Sequence, residues 1–353
     1  MHIPHVALIP GDGIGPEVVD AAVAVADAAL ARDGARVEWT RFEWSTNYYL
    51  QHGHMMPSDG LQRLRAFDAI LLGAVGDPRI PDTVTLHELI FPIRRVFEQY
   101  LNLRPAYLYK GVVSPLRGVE AGDIDMVIVR ENTEGEYSHV GGRLHVGTES
   151  EVAMQTNVFT RRGCARIIRA AFELARTRRR HVTSITKSNA QAYSMVLWDE
   201  VFREVARDYA DVRADSLLVD AAAMDLVRRP GHFDVIVASN LFGDILSDLA
   251  AAVVGGLGMT PSGNVNPERS APSMFEPVHG SAPDIAGRGI ANPVATVLSM
   301  AMLLAHVGHG GASERIDRAV AAVLASEEVR TPDLGGTAGT SEMTRAIIDR
   351  LDE

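Results

Sequence analysis

Asp244 and Asp248 form the clearest candidate for a metal site in this sequence. Their i, i+4 spacing puts both carboxylates on one face of a helix, where like charges repel unless a cation lies between them. The surrounding residues are mostly apolar, which favours a partly buried, cation-compensated pair over two acids placed to suit the helix dipole. Asp220 follows the apolar run Leu217–Val219 and is a third candidate oxygen ligand. Carboxylate ligands without accompanying cysteines predict Mg²⁺ or Mn²⁺.

Lys187 is the candidate for proton transfer, and the composition supports this. The chain contains 34 Lys and Arg residues, of which only Lys110 and Lys187 are lysines, so 34 − 2 leaves 32 arginines. Arginine does not release its proton in proteins, whereas lysine can. Lys187 directly follows a predicted strand, at the edge where α/β proteins place ligands. We therefore expect an acid–base role for Lys187, and a surface position for Lys110.

Arg94, Arg104 and Arg130 are candidates for binding carboxylates, because a guanidinium group can pair with a carboxylate through two hydrogen bonds. Each lies near the end of a predicted helix or strand, although a single arginine in such an arginine-rich chain is more often surface charge. The segment 276–287 combines small residues with a histidine and an aspartate. This composition favours a binding loop.

A glycine-rich turn, Gly11-Asp12-Gly13-Ile14-Gly15, joins a predicted strand to a predicted helix. Glycines in this setting let backbone N–H groups approach a phosphate at the helix N-terminus. The dinucleotide fingerprint would require a glycine at position 16, which is Pro16 here. Two interpretations stay open: a phosphate-binding turn and, with more weight, a tight strand-to-helix connection.

Short β-rich segments alternate with helical patterns along most of the chain, which predicts α/β architecture. The predicted strands are Val6–Ile9, Val37–Phe42, Ala69–Gly73, Leu103–Tyr107, Met126–Glu131, Val152–Asn157, Val182–Thr186, Leu217–Val219 and Val235–Ala238. The predicted helices are Pro16–Ala31, Leu86–Tyr100, Arg162–Arg176, Ala190–Ala206, Phe242–Val254 and a helical region from Pro293 onwards. The segment between Gly255 and Arg288 is predicted to be rich in loops.

The composition limits the classes of protein to which this chain can belong. Its 45 acidic residues exceed its 34 basic ones and give a net charge of −11, which argues against a nucleic-acid partner. The 353 residues allow two domains. The single cysteine, Cys164, excludes an intrachain disulfide framework and fits a reducing compartment. Because we find neither a secretory leader nor a membrane-length apolar segment, we expect a cytoplasmic protein with no membrane partner.

Seven segments, taken in order, resemble the metal-dependent β-decarboxylating dehydrogenases. This group comprises the isocitrate, 3-isopropylmalate, homoisocitrate and tartrate/D-malate dehydrogenases. The segments are 9–17, 94–104, 129–137, 186–189, 219–220, 240–248 and 276–292. They span essentially the whole chain, and the ordered set is far more specific than any one of its members.

The resemblance implies an α/β fold of the isocitrate/isopropylmalate dehydrogenase type, which is not the Rossmann fold. Both chain ends, 1–100 and 255–353, would form a large nucleotide-binding domain. Residues 101–254 would form a smaller inserted α/β domain that also carries a homodimer interface. The active site is then expected between the two domains, where it would bind a small 2-hydroxy diacid and be shared by two subunits.

The resemblance also implies roles for the candidate residues. Asp244 and Asp248 would hold Mg²⁺ or Mn²⁺ together with Asp220 of the partner subunit, which would also lie against the substrate. Lys187, from the partner as well, would accept the proton of the C2 hydroxyl. Tyr137 would protonate the product enolate.

Substrate carboxylates would be bound by Arg94, Arg104 and Arg130. The residues expected to bind the dinucleotide are His279, Gly280, Ser281, Ala282, Asp284, Ile285 and Asn292. NADP-using members commonly carry Lys-Tyr where this chain has Asp284-Ile285, and a carboxylate there would repel a 2′-phosphate. NAD is therefore the expected cofactor, and a monovalent cation is a further candidate.

Within the family, segments 47–49, 55–57, 130–142, 159–163, 181–184 and 261–269 most resemble the tartrate/D-malate type. The sequence departs from that type at His87-Glu88, where its members tend to carry Trp-Gly, and it lacks the Ser-x-Asn of isocitrate enzymes. Ile90 and Phe91 suit an apolar substituent, whereas His87 suits a polar one. We expect NAD- and metal-dependent oxidative decarboxylation of a D-malate-like 2-hydroxy diacid. The alternatives are 3-isopropylmalate or another 3-substituted malate as substrate, and a non-catalytic binding homologue.

Overall fold

The computed structural model describes residues 3–353 and consists of a large mixed sheet with helices on its faces. In chain order the strands are β1 His5–Gly11, β2 Glu38–Arg41, β3 Ala69–Ala74, β4 Leu101–Tyr107, β5 Asp125–Glu131, β6 Gly141–Leu144, β7 Val152–Gln155, β8 His181–Thr186, β9 Arg213–Leu218, β10 Val235–Ala238, β11 Pro261–Val265 and β12 Ser273–Pro277. The α-helices are α1 Gly15–Arg32, α2 Thr46–His52, α3 Gly60–Leu64, α4 Asp82–Thr85, α5 Phe91–Val96, α6 Arg161–Arg176, α7 Ser194–Ala206, α8 Val219–Arg228, α9 Asn240–Val253, α10 Val294–His306, α11 Gly310–Ser326 and α12 Thr340–Asp349. None of the helices within 3–353 combines the length and the apolar composition that a membrane crossing requires.

The main sheet has ten strands in the order β2-β1-β3-β12-β11-β4-β5-β10-β8-β9. Its two outer parts are parallel, but β11 and β4 pair antiparallel with each other and with β12 and β5. Because three antiparallel pairings separate them, the two parallel parts of the sheet run in opposite directions. Strands β6 and β7 form a separate antiparallel hairpin whose residues are all exposed.

The buried apolar residues form clusters that separate the middle of the chain from its two ends. One cluster contains residues from Tyr100 to Val254 and packs around β5, β8 and β10. Two other clusters draw on residues 6–97 and 259–351 and cover β1 and β3. The two chain ends thus build one half of the hydrophobic interior, and the middle of the chain builds the other.

The alternation of strands and helices confirms the α/β class, but one sequence prediction is wrong in the region most important for the site. The segment between Gly255 and Arg288 holds β11 and β12, two central strands of the sheet. Strand β11 has the sequence Pro-Ser-Gly-Asn-Val, in which Val265 is the only β-branched residue and no residue is aromatic, so it carries little of the composition that identifies a buried strand. Its polar side chains are nevertheless buried, because they bind polar side chains of the neighbouring strands β4 and β12.

Two other parts of the element prediction need correction. The helix expected over Leu86–Tyr100 ends at Val96 and includes a π-helical segment, Leu86–Ile90, between α4 and α5. Helix α8 was not predicted, because its first turn continues the apolar run of β9. The strand expected over Val152–Asn157 is present as β7, Val152–Gln155, which pairs with β6 in the exposed hairpin.

Candidate active site

Two buried arginines bind the same carboxylate on helix α9. Arg104 Nη1 donates to Asp244 Oδ1 at 3.1 Å and to Ser247 Oγ at 2.6 Å. Arg130 Nη1 also donates to Asp244 Oδ1, while its Nε and Nη2 donate to Asn240 Oδ1 at 3.1 and 2.7 Å. Burial lowers the pKa of Arg130 to about 10, so this guanidinium group remains charged at neutral pH.

The sheet register explains why these arginines meet. Arg104 lies in β4, two residues from Asn102, which is directly opposite Arg130 in β5. Directly opposite residues of neighbouring strands point to the same face, and so do residues two apart in one strand. Gly243 then lets α9 approach this face, since a Cβ at that position would lie 2.7 Å from the Cβ of Arg130.

Both acids of the predicted pair lie on α9, and the guanidinium group of Arg104 lies beside them. Arg104 Nη1 is 3.1 Å from Asp244 Oδ1 and 3.7 Å from Asp248 Oδ1. Burial acts to raise the pKa of the Asp244 carboxyl, but the charges of Arg130 and Arg104 outweigh it and leave this pKa below its usual value. For Asp248, burial dominates and the pKa is raised. Arg104 therefore supplies the positive charge that the i, i+4 spacing requires.

Tyr137 is a hydrogen-bond donor within this cluster. Its hydroxyl donates to Asp244 Oδ2 at 2.8 Å. Burial, with the nearby Asp244 charge, raises the pKa of Tyr137 to about 12, so the phenol is protonated at neutral pH. The preceding residue, Glu136, accepts hydrogen bonds from Ser239 Oγ at 2.8 Å and Leu241 N at 3.0 Å. These bonds fix the Tyr137 segment to the start of α9.

Arg94 is paired with a carboxylate of the segment predicted to be a binding loop. Its Nη2 donates to Glu276 Oε1 at 2.6 Å, and the two side chains are only 8% and 10% exposed. Asn264 Nδ2 donates to the same Glu276 oxygen at 2.7 Å. The Oδ1 atom of Asn264 in turn accepts from Asn102 and Asn132 at 3.0 and 2.9 Å. A buried polar network thus supports the Arg94–Glu276 pair.

The three arginines and the carboxylates of Asp244 and Glu276 line a cavity of about 430 Å³. Its polar residues include Arg94, Arg104, Arg130, Tyr137, Asp244, Glu276 and His279, and its apolar wall includes Leu86, Ile90 and Phe91. Within residues 3–353, the Nε atoms of Arg94 and Arg104 are buried and have no hydrogen-bond partner. Buried donors of this kind usually bind a solvent molecule or a ligand. The site therefore offers cationic donors for an anion and a phenolic proton in one pocket.

Lys187 and Asp220 form a separate pair. Lys187 Nζ donates to Asp220 Oδ1 at 2.7 Å, and the Asp220 side chain is 62% exposed. The hydrogen bond from Lys187 lowers the pKa of Asp220. Both residues follow the carboxyl ends of neighbouring strands, β8 and β9. Neither belongs to the lining of the cavity that residues 3–353 form.

The glycine-rich turn packs closely against the predicted cofactor loop. A Cβ at Gly13 would lie 1.9 Å from the carbonyl oxygen of Ser281, and Ile14 N donates to that same oxygen at 2.8 Å. The Asp12 carboxylate is itself occupied, since Thr46 N and Gly76 N donate to it at 2.8 and 3.1 Å. These contacts support the interpretation of the turn as a tight connection.

The residues predicted to bind the dinucleotide occupy different environments. His279 and Gly280 line the cavity, whereas Asp284 is exposed. Burial lowers the pKa of His279. Ala282 and Ile285 pack with Ile14, Val18 and Ala291. The Asn292 amide is engaged within the protein, because its Nδ2 donates to Asp333 Oδ2 at 2.9 Å and its Oδ1 accepts from Val294 N at 3.0 Å.

Comparison with known proteins identifies the family. The model of the family described as isocitrate/isopropylmalate dehydrogenase matches residues 5–347. The chain belongs to this family. The resemblance seen in the seven sequence segments is thereby confirmed.

Individual members of the isocitrate/isopropylmalate dehydrogenase family are similar to this chain over nearly their whole length. A probable tartrate dehydrogenase/decarboxylase of Agrobacterium vitis is 50% identical over 98% of this chain and 97% of its own. A D-malate dehydrogenase (decarboxylating) of Escherichia coli is 51% identical over 97% of each chain. The crystal structure of an isocitrate dehydrogenase from Methylococcus capsulatus superposes with a TM-score of 0.90, at 39% identity, over 99% of this chain and 100% of that one. These similarities confirm the predicted family fold.

The sequence did not reveal several residues that build the candidate active site of this chain. Glu276 and Asn240 lay in segments recognised as important, but no role was assigned to either. Asn264 lay in the region predicted to be loops. A usable signal was present there, because Ser262, Asn264 and Asn266 recur at every second position, and a period of two is typical of a strand.

Proposed function

We propose that this protein oxidises and decarboxylates a D-malate-like 2-hydroxy diacid, using NAD and either Mg²⁺ or Mn²⁺. The observation that carries the proposal is the cavity in which Arg94, Arg104 and Arg130 lie together with the protonated Tyr137. Buried guanidinium groups suit the carboxylates of a diacid. The relatives named as tartrate and D-malate dehydrogenases support this substrate class.

The donor chemistry of the site fits a hard divalent cation. Asp244 and Asp248 offer carboxylate oxygens from one helix face, and the Asp248 side chain is 59% exposed with only the 3.7 Å contact to Arg104. We propose that these two aspartates hold the metal together with Asp220 from a second subunit. When bound, the cation would act as a Lewis acid at the C2 oxygen while the nicotinamide accepts a hydride.

The protein's own groups then have distinct tasks. The three arginines orient the diacid through its carboxylates, and the apolar wall at Ile90 and Phe91 limits access of water. Lys187 accepts the proton of the C2 hydroxyl while the hydride leaves C2. After the C3–C4 bond breaks and CO₂ departs, Tyr137 gives its proton to C3 of the substrate. For D-malate this sequence yields pyruvate, CO₂ and NADH.

A dimer with shared sites explains why Lys187 and Asp220 lie apart from the cavity of their own chain. Helices α8 and α9 expose apolar side chains beside them, with Met224 and Ile245 each 56% exposed. Exposed apolar patches of this kind favour a protein interface. We propose that α8, α9 and the β6–β7 hairpin join two copies, and that each copy lends Lys187 and Asp220 to the other.

Mixing two inactive variants tests this arrangement. Lys187→Met and Tyr137→Phe each disable one role, and a mixed dimer with shared sites contains one site that keeps both residues. After the two variants are unfolded and refolded together, random pairing gives about a quarter of wild-type activity if the dimer is symmetric. Activity no greater than that of the separate variants would contradict shared sites.

The proposed domain organisation follows the hydrophobic clusters. Residues 1–100 and 255–353 would form the large, nucleotide-binding domain, and residues 101–254 the small one, with the site between them. The separation of the buried clusters near Tyr100 and Val254 supports these boundaries.

The choice of NAD rests on Asp284. This exposed carboxylate lies on the loop that Ser281 fixes to the glycine-rich turn, and it would repel the 2′-phosphate of NADP. We expect kcat/KM to be higher with NAD, and the preference to shrink in Asp284→Asn. An unchanged preference in this variant would remove Asp284 from the explanation, and a wild-type preference for NADP would contradict the assignment of NAD.

A substrate panel tests the reaction and its alternative. Leu86, Ile90 and Phe91 in the cavity wall favour 3-isopropylmalate as the second candidate, whereas His87, whose ring lies 5.0 Å from that of His139, favours a polar substituent. We expect kcat/KM to be highest for D-malate among D-malate, tartrate, 3-isopropylmalate and isocitrate. A clear preference for isocitrate would contradict both candidates, and binding without turnover of any acid would indicate a non-catalytic homologue.

A further inference from the structure

A second group of metal-ligating side chains lies away from the candidate active site. His181 is the first residue of β8, Asp215 lies in β9, and His232 ends a short 3₁₀ helix, Pro230–His232, before β10. His181 is paired in register with Arg213, two residues before Asp215, so His181 and Asp215 share one face of the sheet. Lys187 lies 187 − 181 = 6 residues further along, which corresponds to about 20 Å of extended chain. The group is therefore at the opposite end of β8 from Lys187.

The geometry of this group suits a single ion. One ring nitrogen of each histidine and one Asp215 oxygen all lie within 4.8 Å of one another. The Nε2 atoms of His181 and His232 are 2.9 and 3.9 Å from Asp215 Oδ2. Ligands on a tetrahedral zinc ion are about 3.3 Å apart, given bonds of roughly 2.0–2.1 Å. Small side-chain rotations would bring all three atoms to that separation.

A second observation points to a ligand at this position. Asp215 Oδ1 is buried and, among the residues that the structure describes, has no hydrogen-bond partner. Buried polar atoms without a protein partner usually contact water or an ion. The carboxylate thus has one oxygen, Oδ2, beside the two imidazoles and a second, Oδ1, that is buried without a partner.

An ordinary ion-pair cluster is the competing explanation. Arg213 lies 3.4 Å from Asp215 Oδ2, but its side chain is 66% exposed and free to turn towards solvent. The rings of His181 and His232 are centred 5.2 Å apart, which is close enough for one nitrogen of each ring to reach a shared ion.

We propose that His181, Asp215 and His232 bind a divalent cation of the zinc class, at a site separate from the catalytic carboxylates. Imidazole ligands favour zinc, whereas an all-oxygen site favours magnesium or manganese. The ion would connect the amino ends of β8 and β9 to the segment that enters β10. The side chains of His232 and Asp215 are 23% and 29% exposed. Because solvent reaches them, a water molecule would complete the coordination of the ion. The site would stabilise the inserted part of the chain without taking part in catalysis.

Zinc binding by the tag-free full-length protein tests this proposal without any measurement of turnover. Excess Mg²⁺ is added to occupy the carboxylate site, and zinc retained after desalting is measured by elemental analysis. We expect one zinc ion per chain, and visible absorption typical of tetrahedral coordination when Co²⁺ replaces it. His232→Gln and Asp215→Asn should each weaken zinc binding by about tenfold or more, since each removes a ligand.

His54→Gln is the matched control. His54 is exposed and its ring lies 6.1 Å from that of His52, so it provides a second histidine pair without the aspartate. This variant should bind zinc as the wild type does. Failure of the wild type to retain zinc would overturn the proposal, and so would equal retention by His232→Gln. Because His232 lies outside the sheet, this variant decides the question even if Asp215→Asn fails to fold.

Discussion

Replacement of Tyr137 by phenylalanine removes a single hydroxyl and tests its role as the proton donor. That hydroxyl donates to Asp244 Oδ2 at 2.8 Å, and a hydrogen bond to a charged group contributes about 1.5–3 kcal/mol. Because Tyr137 is only partly buried, water replaces part of this contribution, and we expect the free energy of unfolding to fall by no more than about 2 kcal/mol. The catalytic loss should be larger, since general acid catalysis contributes roughly 10²- to 10⁴-fold, or about 3–5 kcal/mol at 1.36 kcal/mol per factor of ten.

The assay follows NADH formation from D-malate with saturating Mn²⁺ and NAD, for wild type and Tyr137→Phe, across pH 6–10. With a pKa of about 12, only about one phenol in a thousand is ionised at pH 9. Wild-type kcat should therefore show no decline from tyrosine ionisation in this range. We expect kcat of the variant to fall at least a hundredfold with little change in KM. A variant with kcat within about threefold of the wild type would refute the assignment of Tyr137 as the acid.

Three further changes test other parts of the site and fold. Lys187→Met should abolish oxidation while Mn²⁺ binding, measured by electron paramagnetic resonance, persists; near-normal turnover would contradict its role as the base. Glu276→Gln leaves the buried Arg94 without its charged partner, so denaturant unfolding should show a loss of up to about 3–5 kcal/mol, and an unchanged stability would show that the pair is not needed. Burial lowers the pKa of His306 to about 4, so this histidine binds its proton more tightly in the unfolded chain than in the folded protein. The free energy of unfolding should accordingly fall by up to about 3 kcal/mol as the pH drops from 6.5 towards 4. His306→Asn should weaken this pH dependence. If the free energy of unfolding of the variant varied with pH as that of the wild type does, the assignment to His306 would be contradicted.

The acidic pair on α9 shows what the sequence could predict. A helical spacing of four residues and apolar neighbours were enough to place Asp244 and Asp248 on one face, because both signals depend only on local geometry. The same local rules could not reveal that Arg104 lies between the two carboxylates. That contact depends on the approach of α9 to β4, which Gly243 permits and which involves residues 140 positions apart.

Strand β11 shows why the rest of the site was harder to predict. Its residues are stable in the centre of the sheet because Ser262 binds Asn102, 160 positions away, and Asn264 binds Glu276, 12 positions away on the next strand. Asn132 likewise reaches Asn264 across the sheet. Polar strands of this kind are defined by their partners and not by their own propensity, so apolar patterns miss them.

The central claim is that the chain couples oxidation to decarboxylation. Its most direct test measures NADH, CO₂ and pyruvate from D-malate in the same reaction, with purified protein, NAD and Mn²⁺. We predict that the three products form in equal amounts, because hydride loss from C2 and cleavage of the C3–C4 bond belong to one reaction. NADH formation without CO₂, or no NADH from any diacid of the panel, would contradict the account.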